Sequence, residues 1–106
     1  MLRGAQRERE RERDRAAASL YQVGDVRRAL LQLRGVTRKN PTYSEARAAL
    51  AAVYYGEGSV ELAEDELRRA TEIDPQWSSA SAAELEKLAR WPPRLVEAWT
   101  RMMTLR

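Results

Sequence analysis

Displaced by 34 residues, the chain lies over itself: Ala17 falls on Ala51, Ala18 on Ala52, Leu20 on Tyr54, Tyr21 on Tyr55, Gly24 on Gly58, Val26 on Val60, Ala29 on Ala63, Leu33 on Leu67, and Asn40-Pro41 on Asp74-Pro75. A period of this length, with Gly midway and Pro at the end, suits two helices joined by a turn and closed by a residue that cannot continue a helix. One such pair cannot bury its own apolar face, so it must stack on the next. The repeat therefore predicts an all-α fold, a helix-turn-helix solenoid.

Capping chemistry bounds the helices. The run Arg7 to Arg15 alternates in sign, which places opposite charges at i,i+3 and like charges at i,i+4. It reads as the solvated start of a helix from about Gln6 to Val23, with residues 1–9 forming a charged helical extension and nothing apolar to bury in the first two turns. Gly24 supplies the left-handed residue that ends this helix, and Asp25 is the N-cap of the next. The second helix, Val26 to about Lys39, sets Ala29, Leu30, Leu33 and Val36 on one stripe. Arg38 and Lys39 complement its C-terminal dipole, and Pro41 stops it. In the second copy Ser44 caps a helix through Tyr55, Gly56 and Gly58 turn the chain, Ser59 caps a helix through Ile73, and Pro75 follows. Ala29 and Ala63 give the small side chains that paired helices need where they cross.

After Trp77 one inserted residue restores the register. At an offset of 35, Leu50 maps to Leu85, Val60 to Leu95, Ala63 to Ala98, Leu67 to Met102 and Ala70 to Leu105. A third, degenerate unit follows, with Ser78 or Ser81 opening a helix to Arg90; Ser81 and Glu84 have capping-box spacing. Pro92-Pro93 replaces the Gly turn, and the last helix runs from Arg94 to about Leu105. The three helix pairs occupy residues 10–43, 44–77 and 78–106.

Leu50, Ala51, Tyr54, Gly58, Ala63, Leu67, Ala70 and Pro75 together resemble the tetratricopeptide repeat; the Trp that family has early in its first helix is replaced by Arg47. The resemblance implies a protein-binding scaffold in which the first helix of each pair lines a concave groove. On the second copy that groove would present Glu45, Ala48, Ala49, Ala52 and Tyr55, a smooth floor with an aromatic at one edge. Two readings are open: the floor receives a helix or extended segment of a partner, or it holds the chain's own last helix. Family members that clamp acidic chaperone tails use Lys, Arg and Asn at positions matched here by Arg11, Asp14, Arg15 and Ala18, then Glu45, Ala48, Ala49 and Ala52. The set lacks Asn and adds acid, which argues against such a clamp.

The last helix carries Leu95, Val96, Trp99, Met102 and Met103, more apolar width than one stripe requires. Either all of it covers the preceding helix, or Trp99 or Met103, with Trp91 nearby, forms a docking surface for a partner subunit or another copy. The run from Leu88 to Trp99 resembles the ending of short tetratricopeptide proteins of cyanobacteria and plastids, which carry Arg-Trp-Pro-Pro before a last amphipathic helix. That likeness implies a thylakoid-associated assembly factor or accessory subunit of a photosynthetic complex. The alternative is a bacterial adaptor of the same fold, in the cytoplasm, serving another assembly.

Composition narrows the chemistry. Among the 106 residues there is no Cys and no His, so thiol nucleophiles and the common zinc and imidazole sites are excluded, and neither a cofactor nor a metal is expected. Glu61, Glu64, Asp65 and Glu66 stand near Arg68 and Arg69, the pattern of surface pairing and not of an acid and base in a pocket. No Gly-rich phosphate loop or nucleophile motif is present, and the chain reads as non-enzymatic. The sequence pI is 9.7, and Arg27, Arg28, Arg34, Arg38 and Lys39 cluster near one helix. However, the net charge is only +3, and no polar code recurs from unit to unit, which leaves an RNA-binding helical repeat as a remote alternative. No stretch approaches the ~20 apolar residues of a membrane span. The partner implied is a protein; peripheral membrane association and self-association stay open.

Overall fold

A computed structural model of the chain describes residues 2–105, with side chains from residue 8 onward. Among the described residues the secondary structure is helical: α1 (Leu2–Gln22), α2 (Val26–Lys39), α3 (Ser44–Gly56), α4 (Val60–Ile73), a 3-10 turn at Pro75–Ser78, α5 (Ala82–Lys87) and α6 (Pro93–Leu105).

The turns of the first two units repeat in atomic detail. Gly24 and Gly58 have φ of 90° and 83°. At the first turn the Asp25 N–H donates to Leu20 O at 2.8 Å and the Gly24 N–H to Tyr21 O at 3.0 Å. Thirty-four residues on, Ser59 N–H donates to Tyr54 O at 2.9 Å and Gly58 N–H to Tyr55 O at 3.0 Å. These are the paired bonds of a Schellman termination, which needs a left-handed residue and is cheapest with Gly. Asp25 caps α2 as its side chain predicts, accepting from Arg28 N–H at 3.3 Å. Ser59 precedes α4 but makes no side-chain cap bond. Tyr43, not Ser44, occupies the cap position of α3, and Ser44 Oγ instead accepts from Trp77 Nε1 at 2.9 Å. A long-range donor has taken the oxygen that local rules assign to the helix end.

Within each pair the helices meet at an alanine: Ala29 on α2 and Ala63 on α4 are fully buried. Arg47, standing where the family has Trp, donates through Nε to Pro41 O at 3.1 Å and pairs through Nη1 with Glu66 Oε2 on α4 at 3.0 Å. Both side chains are about seven-eighths buried, so the guanidinium ties α3 to α4 where an indole would have packed.

The third unit follows the expected spacing but not the expected packing. Ser81 and Glu84 form the capping box of α5. That helix stops at Lys87, short of the expected Arg90, because Arg90 takes a left-handed φ of 57° and Trp91 precedes Pro92, where helical backbone is disfavoured. Pro93 starts α6, which packs chiefly on α3, with further contacts to α5 and α1. Leu95, Ala98 and Met102 are buried as the offset of 35 predicts, whereas Leu105 is exposed. Helix α3 is consequently enclosed by α4 and α2 on its outer side and by α6 on its inner side. Every side chain from Ala48 to Tyr54 is buried, and a helix covered all round must be apolar all round.

The charged start also departs from expectation. Glu10 and Asp14, read as solvated, are buried. Glu10 Oε2 accepts from Asn40 Nδ2 at 2.7 Å, which anchors this part of α1 to the end of α2.

Candidate interaction surface

The groove-lining helices of the first two units are α1 and α3, and α6 lies against both. Ala48, Ala49 and Ala52, expected as an accessible floor, have 0–1 % of their surface exposed. Of the two readings open from sequence, the packing of α6 on α3 agrees with the one in which the groove holds the chain's own last helix. Alanine is what this arrangement requires, since small side chains let the α6 backbone approach α3 closely.

Trp91 and Trp99, considered as docking residues, are buried as well. With Trp77 they form a three-ring cluster: Trp77 and Trp91 are stacked with centroids 5.9 Å apart, and Trp99 meets the other two edge-on at 5.6 and 5.7 Å. Trp77 Nε1 donates to Ser44 Oγ, and Trp99 Nε1 donates to Ala80 O at 3.1 Å. The cluster fastens the 3-10 turn, the α5–α6 link and α6 to one another. Tyr55, Glu45 and Met103 are half-buried at the margins of the filled groove.

At one end of α6, Tyr21, Tyr55, Gly56, Arg94, Glu97, Ala98 and Arg101 surround a recess of about 180 Å³. Arg94 lies over the Tyr21 ring at 5.0 Å from its centroid, and its backbone N–H donates to Gln22 Oε1 at 2.8 Å. Burial pushes the Tyr21 phenol up, against the opposing pull of Arg94. A Cβ added at Gly56 would collide with Tyr21 Oη and sit 3.6 Å from Ala98 Cβ, so glycine here permits the close approach of α1, α3 and α6.

The opposite end is acidic. Asp14 on α1 faces Glu45 on α3; burial first, then a hydrogen bond and charge repulsion from Glu45, raise the Asp14 carboxyl well above its ordinary value, with Arg15 opposing. Burial and the facing acid thus favour the neutral, protonated form of Asp14. Tyr43 Oη donates to Glu45 Oε2 at 3.1 Å, and burial beside these acids pushes its phenol far up, so the hydroxyl stays a donor.

Over residues 12–88 the chain matches the tetratricopeptide repeat family. The chain belongs to the tetratricopeptide repeat family. No curated protein and no solved structure matches it closely enough to add to that assignment. Tetratricopeptide repeats hold other proteins, and the groove of this tetratricopeptide domain is where sequence reasoning looked. That reasoning located the floor through Glu45, Ala48, Ala49, Ala52 and Tyr55. Asp14, Tyr43, Trp77 and Arg94 left no local signal of their places at the groove's ends, because Asp14 meets Tyr43 and Glu45 about thirty residues on, Trp77 donates to Ser44 33 residues back, and Arg94 covers Tyr21 73 residues back. On the outer face of α4, Arg68 pairs with Asp65 and Glu72, and Arg69 with Asp65, the exposed pairing expected there. No helix among the described residues is long and apolar enough to cross a membrane.

Proposed function

We propose that this tetratricopeptide domain is a non-catalytic interaction module that meets its partner at the rims of a groove already filled by α6. The observation that carries this reading is that Ala48, Ala49 and Ala52 are buried on a helix against which α6 packs. A partner then contacts the outward face of α6, where Arg94, Glu97 and Arg101 are exposed, together with the half-buried Glu45, Tyr55 and Met103. Trp91 and Trp99 act indirectly, by holding α6 in place. The partner's matching element is a helix or extended segment laid along α6, or a flat face of a larger complex.

Within that class we assign the domain to an assembly factor or accessory subunit of a thylakoid photosynthetic complex. What supports this is the likeness of the Arg90-Trp91-Pro92-Pro93 element to the endings of short cyanobacterial and plastid tetratricopeptide proteins. Here that element turns the chain into the groove.

Photo-crosslinking in the native cells tests both levels. A crosslinker at Tyr55 or Arg101 is expected to capture one discrete protein, while one at Arg28 or Arg69 on the outer helices captures none. Capture only from the outer positions overturns the groove-rim reading. A captured protein outside the photosynthetic membrane complexes overturns the narrower assignment and leaves the broader one standing.

A further inference from the structure

The three indoles of the Trp cluster differ in one respect. Trp77 and Trp99 donate their N–H groups to Ser44 Oγ and Ala80 O, whereas the Trp91 N–H is buried and has no acceptor in the protein. Asp14 Oδ1 is likewise buried without an N–H or O–H donor from the protein. The residues are 95 % and 97 % buried, and both line one recess of about 210 Å³ between α1 and the α5–α6 link, with Ala18, Ser19, Arg15 and Arg90 around them. Asp14 Oδ1 receives no donor from the protein, so the carboxyl keeps an acceptor to offer. A buried donor and a buried acceptor left unmet are unfavourable, and a bound group supplying both complements would recover that loss.

We infer that this recess receives the carboxamide of an Asn or Gln side chain from a partner segment, its carbonyl accepting from Trp91 Nε1 and its NH₂ donating to Asp14. A carboxamide has donor and acceptor at the two ends of one planar group. An ammonium or guanidinium has no acceptor for the indole N–H, and it would enter beside Arg15 and Arg90. A carboxylate has no donor for Asp14, and it would add a third acid to the Asp14–Glu45 pair. The volume is many times what one water needs. Arg15 and Glu45 act on Asp14 directly, Tyr43 stands beside both acids, and Arg90 lines the same recess; none of them donates to Asp14 Oδ1. This inference rests on the reading of the domain as an interaction module.

The test uses the whole ¹⁵N-labelled chain, with the Trp91 indole resonance identified by its loss in Trp91→Phe and the Ala18 methyl as a second reporter. Single residues capped as N-acetyl methylamides are titrated: Gln, Glu, Lys, Ser and Leu. Capped Gln is expected to shift the Trp91 indole and the Ala18 methyl saturably, with at least tenfold higher affinity than the other four. Asp14→Leu should weaken capped Gln at least tenfold on the indole reporter, and Trp91→Phe should do so on the methyl reporter, which covers the case where one variant fails to fold. An absent or non-saturable response to Gln, with water cross-peaks filling the recess, overturns the inference, as does an equal response to Ser, Glu or Lys. Failure here alongside capture from Tyr55 or Arg101 removes the recess and leaves the interaction reading intact.

Discussion

Units one and two turn the chain in the same way, with matching Schellman bonds 34 residues apart, while unit three carries the same apolar spacing to a different address. In unit two, Ala63 and Leu67 on α4 cover the outer side of α3; in unit three, Ala98 and Met102 on α6 turn to its inner side. The difference lies in the connections. A Schellman turn at Gly24 or Gly58 folds the second helix directly back on the first. The six-residue α5, the left-handed Arg90 and Pro92-Pro93 instead give a linker that lets α6 cross the groove. Apolar spacing thus fixes which face of a helix is buried, and the turn decides against what.

Removing what holds α6 should break this arrangement most. Trp99→Ala is expected to cost about 3–5 kcal/mol, because the ring is fully enclosed and its N–H bond to Ala80 O is lost; urea unfolding measures it. A loss below about 1 kcal/mol would mean that α6 is not packed as described. Arg47→Leu should cost about 2–3 kcal/mol, because it removes the bonds to Pro41 O and Glu66 and leaves Glu66 only Arg69 at 4.0 Å, which tests the tie inside unit two while sparing unit three.

The caps separate the units more finely. Ser81→Ala removes a completed capping box and should cost about 1 kcal/mol, whereas Ser59→Ala, which breaks no cap bond, should change stability by less than about 0.5 kcal/mol. Equal losses would show that the cap geometry of the two units is alike. The smallest expected effect is on pH dependence. Since the folded Asp14 carboxyl titrates well above its ordinary value near 3.8, the folded state holds a proton that the unfolded chain has released. Its contribution is full below that ordinary value and is lost as pH rises through the raised one. Melting temperature measured from pH 4 upward should therefore fall more steeply for the parent chain than for Asp14→Asn; parallel curves would contradict the raised Asp14 carboxyl.

Much of this could be read from the sequence, and the exceptions have physical causes. Helix α2 begins and ends where Gly24, Asp25 and Pro41 place it, because each boundary is set by a residue within two positions of it. Leu85, Leu95, Ala98 and Met102 were legible as core from spacing alone. The destination of α6 was not, since α3 offers apolar surface on both sides and a one-dimensional spacing does not choose between them. Asp14 looked like one more charge in an alternating run; its burial depends on Tyr43 and Glu45, about thirty residues away. Ser44 looked like a cap until Trp77 claimed its hydroxyl.

The central claim is that α6 fills the groove formed by α1 and α3. Nuclear Overhauser contacts in the whole labelled chain test it most directly. The account predicts cross-peaks from the Ala98 methyl to the Gly56 α-protons and from the Arg94 side chain to the Tyr21 ring. Absence of both, with Leu95 and Met102 in contact instead with the outer residues of α4, would contradict it.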